Sequence, residues 1–176
     1  MKQHILFAGI RASGKSTLGK LVAEKINRPF FDLDYEVLKT TECKTLYEMV
    51  KTYDLRDLAK REHELLKNFL EREELIVLST GGRTFSHADM DVKGMNKEVA
   101  MKNSFIIVPV TDPDKLWGRI VEDQHKEHSN STLERLKSNH EDALGFLGSY
   151  KEMADLIIST DGDTPEETVD KIIAEL

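Results

Sequence analysis

Eight residues near the N-terminus, Gly9-Ile10-Arg11-Ala12-Ser13-Gly14-Lys15-Ser16, fit the pattern G-x-x-x-x-G-K-[ST]. Each residue type at that spacing has a task in holding phosphate. The glycines let backbone N–H groups turn inward around phosphate oxygens. A helix opening at the end of the loop adds the partial positive charge of its N-terminus. Lys15 can bridge the outer phosphates, and the Ser16 hydroxyl can ligate Mg²⁺. Arg11, Ala12, Ser13 and Thr17 complete the candidate nucleotide contacts. Further along, Asp32 and Asp34 flank Leu33. In an extended chain, alternation puts both carboxylates on one side and Leu33 on the other. One acid can help to hold Mg²⁺, and the other can orient and deprotonate an acceptor hydroxyl.

These groups need elements that bring them to one crevice. Ile5-Leu6-Phe7-Ala8 is a short apolar run, which predicts a buried strand directly before the loop. Leu18, Leu21, Val22 and Ile26 recur at helical spacing, so a helix over about 15–27 follows it. Pro29–Leu33, Leu75–Leu78, Phe105–Val108 and Leu156–Ile158 are four further strand candidates. Leu55, Leu58, Glu62, Leu65, Leu66, Phe69 and Leu70 define a long helix with Glu62 as its one polar intrusion. Asp112 before Pro113 predicts a helix start and a helix to about Asp123. Residues 124–131 lack periodicity and read as a loop, after which Ser131 and Glu134 match a capping box. Thr164, Pro165 and Glu167 cap a last helix, with Val169, Ile172, Ile173 and Leu176 on its apolar face. Apolar strands alternating with helices predict an α/β sandwich with a five-stranded parallel sheet. Ligands then bind beyond the carboxyl ends of the strands.

The chain has 176 residues, enough for one domain over 1–176. Its net charge of −7 argues against a nucleic-acid binder with a basic face. One cysteine, Cys43, excludes an internal disulfide and every zinc site built on several cysteines. His125 and His128 lack the further ligands a metal site needs, and read as solvated. No apolar run is long enough for a membrane span or a signal segment. The expectation is a cytoplasmic monomer without a membrane partner.

With the residues laid out, the chain resembles shikimate kinase and related P-loop small-metabolite kinases. GIRASGKSTLGKLVAEKI at 9–26, RPFFDLD at 28–34 and STGG at 79–82 carry the likeness. The resemblance implies a P-loop NTPase three-layer sandwich and phosphoryl transfer from ATP, with Mg²⁺, to a hydroxyl of a small molecule. It implies an acceptor-binding region about 33–65 and a lid about 120–132. By the same likeness Asp32 belongs with the Mg²⁺ site, Asp34 with the acceptor's hydroxyls, and Gly81 and Gly82 with the wall of the acceptor pocket. Arg119 matches a lid-proximal arginine that packs on adenine.

Several positions depart from the family pattern. Ala59 stands where an arginine grips the acceptor carboxylate, and Phe146 where a second such arginine sits. Arg83 replaces a third glycine, and Lys126-Glu127-His128 replaces the lid's Arg-Pro-Leu. An arginine fork gives a carboxylate two parallel donors, so its loss asks for a replacement. Arg83 is the first candidate. Arg56, one helical turn before Ala59, is the second, and Arg61 points elsewhere. Lys126 can steady the transferring phosphoryl as a point charge. Tyr47, Met49 and Val50 line either the acceptor pocket or the core. Shikimate or a shikimate-like acid is the expected acceptor. A sugar acid or nucleoside-type acceptor, or an ATP-binding protein without turnover, are the alternatives.

Overall fold

The computed structural model describes residues 3–86, 90–127 and 132–176. Five strands, β1 (His4–Phe7), β2 (Phe30–Asp32), β3 (Val77–Ser79), β4 (Ser104–Val110) and β5 (Leu156–Ser159), form one sheet in the order β2-β3-β1-β4-β5. Every neighbouring pair is parallel. The helices among the described residues are α1 (Lys15–Lys25), α2 (Leu33–Leu38), α3 (Leu46–Thr52), α4 (Leu55–Leu70), α5 (Met90–Asn103), α6 (Pro113–Glu127), α7 (Leu133–Gly145), α8 (Leu147–Glu152) and α9 (Pro165–Glu175).

Alternation along the strands divides the core in two. Leu6, Leu78, Ile106 and Val108 point to one face and pack with Leu66, Phe69 and Leu70 of α4 and Tyr150 of α8. Ile5, Phe7, Val77 and Ile107 point to the other and meet Leu18 and Val22 of α1 and Val169 and Ile172 of α9. Both faces are therefore covered, which is why the strands are apolar throughout. A third small core of Val37, Met49 and Leu58 ties α2, α3 and α4 together. No described helix is long and apolar enough to cross a membrane.

Local signals set most helix starts. Asp112 Oδ1 accepts from the backbone N–H groups of Asp114 and Lys115 at 3.0 and 3.3 Å, opening α6. Thr164 and Glu167 form the expected capping box of α9. Two expectations need correction. Helix α6 runs to Glu127, beyond Asp123 and into the segment read as a loop. Helix α7 is capped by Thr132, whose hydroxyl accepts from Arg135 N at 3.3 Å, and Ser131 lies outside the described residues. The sequence pattern does not announce α2, α3, α5 or α8. Two of these are six-residue turns, too short to show a period. In α5 the buried face is Val92, Asn96 and Ala100, and the central asparagine hides the apolar spacing.

Sheet register prepares the site. Ser79 of β3 pairs with Phe7 of β1 and with Asp32 of β2, so these three residues stand level. The loop after β1, the turn after β3 and the end of β2 consequently emerge together at the carboxyl edge.

Candidate active site

The loop from Gly9 to Ser16 turns directly out of β1 into α1. Gly14 caps α1 with φ 93°, a left-handed conformation that a side chain disfavours. Ala12 is left-handed too, with φ 63°. Ser13 Oγ is the one buried side-chain polar atom without a hydrogen-bond partner among the described residues. An orphaned donor inside a loop of this shape fits a phosphate oxygen. Lys15, only 7% exposed, donates from Nζ to Ile10 O at 2.8 Å. Burial pulls its ammonium down to about 8, and the nearby Asp34 and Asp32 charges resist that pull. Arg119 of α6 donates to Ala12 O at 3.2 Å and to Thr111 Oγ1 at 3.4 Å, bracing the loop from outside. A cavity of about 520 Å³ opens beside it, lined by the loop through Thr17, by Arg119 and by Thr160 and Pro165. The last two follow β5, where the sequence shows a helix cap but no mark of a ligand site.

Beside the loop lies a set of oxygen donors. Ser16 Oγ donates to Asp32 Oδ2 at 2.5 Å and lies 3.2 Å from Ser79 Oγ. Ser79 is fully buried and was not anticipated as a site residue. Hard oxygen donors of this kind suit Mg²⁺, which keeps several waters and shares substrate phosphates. No group of three or more His, Cys, Asp or Glu among the described residues could form a dedicated metal cage.

Asp34 corrects the strand-based expectation. Strand β2 ends at Asp32, which caps α2 by accepting from Asp34 N at 3.2 Å, so Asp34 sits in the first turn of a helix. Its carboxyl faces the loop all the same, close enough to Lys15 and Arg11 to feel both charges. Burial first, and then the charges of Glu62 and Asp32, push it up to about 7. Asp34 Oδ1 lies against Gly81, where a Cβ would collide with it. The polar intrusion in α4 is thereby explained: Glu62 is buried and accepts from Thr84 Oγ1, which also lies 3.1 Å from Gly81 O. Asn96 Nδ2 donates to Thr84 O at 2.8 Å, and His63 Nδ1 lies 2.8 Å from Asn96 Oδ1. Tyr150 Oη donates to Gly82 O at 3.0 Å. The turn after β3 is thus held from α4, α5 and α8.

A second cavity, about 1040 Å³, opens beyond this turn. Arg56, Ala59, Gly82, Arg83 and Phe146 all line it, together with the unanticipated Lys93. Arg61 points away, donating to Thr40 O at 3.1 Å with its guanidinium over Tyr53. Met49 is core, Val50 is exposed and Tyr47 packs under Lys51, and none of the three lines this cavity. Lys126 lies in the last turn of α6, and its side chain, like that of His125 and the whole of His128, falls outside the described residues.

Comparison with known proteins supplies the family. The family model described as shikimate kinase matches residues 11–176. A shikimate kinase of Burkholderia lata is 27% identical over 179 residues, covering 98% of this chain and 89% of its own. The crystal structure of shikimate kinase from Bacteroides thetaiotaomicron superposes with a TM-score of 0.79 at 26% identity, covering 99% of both chains. The enzyme from Acinetobacter baumannii, solved in complex with shikimate, superposes with a TM-score of 0.83 at 23% identity over 98% of this chain and 92% of that one. A five-stranded parallel sheet, a phosphate loop and a buried carboxyl beside that loop accompany these matches, and the chain belongs to the shikimate kinase family of small-molecule kinases.

Proposed function

We propose that this chain transfers the terminal phosphoryl group of ATP to a hydroxyl of shikimate, acting as one domain over residues 1–176 with a lid near 120–132. The observation that carries the reading is Asp34. Its carboxyl titrates near neutrality, beside Lys15 and Arg11 of the phosphate loop and against Gly81, the neighbour of a residue that lines the acceptor cavity. A base poised near the working pH is matched to taking a proton from an alcohol as it attacks phosphorus. ATP fits the 520 Å³ cavity, with Arg119 beside the adenine and Ala12 to Thr17 around the phosphates, while Gly9 and Arg11 complete the loop. Lys15 turns its ammonium from Ile10 O to the outer phosphate oxygens, and Lys126 approaches them from the lid. Ser16 and Asp32 hold Mg²⁺, which when bound neutralises charge developing on the transferring group. Gly81 makes room for the Asp34 carboxyl, and with Gly82 it forms the wall against which the acceptor is held. The reading extends to a cytoplasmic monomer, and size-exclusion chromatography with light scattering is expected to return a single chain.

The test is a coupled ADP-release assay with shikimate, with the phosphorylated product identified by mass spectrometry. Product is expected in the wild type. Nucleotide binding without product from shikimate or from a panel of sugar acids and nucleosides would overturn the kinase reading.

A further inference from the structure

We infer that Arg56, Arg83 and Lys93 form a cationic clamp for the carboxylate of the phosphoryl acceptor, and that this clamp restricts the enzyme to hydroxylated carboxylic acids. The inference deepens the functional reading above and rests on it. Three elements converge here. Arg56 comes from the first turn of α4, Arg83 from the turn after β3, and Lys93 from the first turn of α5, and all three line the 1040 Å³ cavity.

Their charges are available. Elsewhere, exposed lysines find carboxylates, as in Lys39–Glu36, Lys115–Asp161 and Lys171–Asp163. Around this cavity no such pair forms among the described residues, although Glu141 and Asp142 of α7 line the same space. Arg83 commits one N–H group, donating to Asn139 Oδ1 at 3.5 Å. The remaining guanidinium donors of Arg83 and those of Arg56 suit the two oxygens of a carboxylate. In a chain of net charge −7, three cations gathered on one cavity make it the natural seat of an anion.

Shape agrees with charge. Ala59 keeps a long side chain out of the cavity, while Leu55 and Phe146 supply apolar wall for the carbon frame of a ring. Gly82 adjoins Gly81, where the Asp34 carboxyl rests. An acceptor anchored by its carboxylate next to Arg83 therefore extends its hydroxyls toward Asp34. A neutral polyol or nucleoside offers these three cations no charge of its own, and the cavity then holds only Glu141 and Asp142 to set against them.

Kinetics of R56A, R83A and K93A with shikimate and with its uncharged carboxamide test the clamp. Arg56 and Arg83 are exposed and Lys93 is half-buried, so the variants are expected to keep the wild-type melting temperature and ATP affinity. Each lost charged hydrogen bond is expected to raise the shikimate KM about 10–100-fold with ATP KM unchanged. Wild type should prefer the acid over the carboxamide by at least about 100-fold, and R56A/R83A should lose that preference. Shikimate KM within about twofold of wild type in all three variants, or equal use of the carboxamide by wild type, would overturn the clamp and leave the kinase reading intact. A wild type inactive with shikimate overturns the functional reading instead. Calorimetry with gluconate against sorbitol then decides the clamp. Selective gluconate binding that R56A/R83A abolishes sustains it, and equal binding or none refutes it.

Discussion

Asp34 is the residue at which structure and chemistry meet most closely. Burial and the neighbouring Glu62 and Asp32 charges raise its carboxyl to about 7 from an ordinary 3.8. Between those values the folded protein holds a proton that the unfolded chain has released. Stability of the free enzyme therefore falls as pH rises from about 4 to 7 through this group. Asp34→Asn removes that penalty. It is expected to raise the melting temperature at pH 8 while lowering kcat by about 10²–10⁴-fold, measured by calorimetry and steady-state kinetics. The ionised form is the base, so kcat/KM should fall about tenfold per unit below pH 7. Glu62→Gln takes away a charge that raises Asp34, and should move this acid limb to lower pH. An unmoved limb would show that Glu62 acts on the turn through Thr84 and not on the base.

At the scale of elements, the turn after β3 and the helix caps offer separable tests. Tyr150 is fully buried, and burial pushes its phenol up to about 12, so it remains a donor at every working pH. Tyr150→Phe leaves the Gly82 carbonyl without this partner. A cost of about 1–3 kcal/mol is expected in urea denaturation, together with a higher acceptor KM as the turn loosens. Thr164 caps α9, whose first turn borders the 520 Å³ cavity on the side away from the acceptor turn. Thr164→Ala should cost about 1 kcal/mol, or about 2–4 °C in melting temperature, with the acceptor KM unchanged. The contrast distinguishes an element that does not touch the acceptor turn from one that holds it.

Over the whole molecule, the parallel sheet is the frame on which everything else is hung. His4 is buried at the start of β1, and its Nδ1 accepts from Ile76 N at 3.3 Å across to the chain entering β3. Burial lowers its pKa below 6.5. The folded protein thus keeps His4 neutral where the unfolded chain protonates. Its contribution is complete above about pH 6.5 and is lost as pH falls toward the folded value. Asp34 works in the opposite direction over this range, so the test uses Asp34→Asn as background: its urea midpoints between pH 5 and 7.5 should decline toward acid, and adding His4→Gln should flatten that decline. An unchanged slope would place the acid sensitivity elsewhere.

What the sequence determined by itself is what lies close along the chain. The phosphate loop is eight contiguous residues, the strands are short apolar runs, and the starts of α6 and α9 are set by caps within three residues. Such features need no partner from a distance, so type and spacing suffice to read them. Asp32 and Asp34 were legible as a pair, although the helix start that separates them was not, because Asp32 both ends a strand and caps a helix. Tertiary structure decided what depends on register and burial. Ser79 joins Ser16 across 63 residues because β3 stands level with β1 and β2. Glu62 reads on the sequence as a flaw in an apolar helix face, and only packing turns it toward Thr84 and the field of Asp34. Lys93 carries no motif at all, and it reaches the cavity because α5 is laid against α4. Proton affinities belong to the same class. The positions of Lys15 and Asp34 near neutrality come from lost water and neighbouring charge, which exist only once the chain has folded.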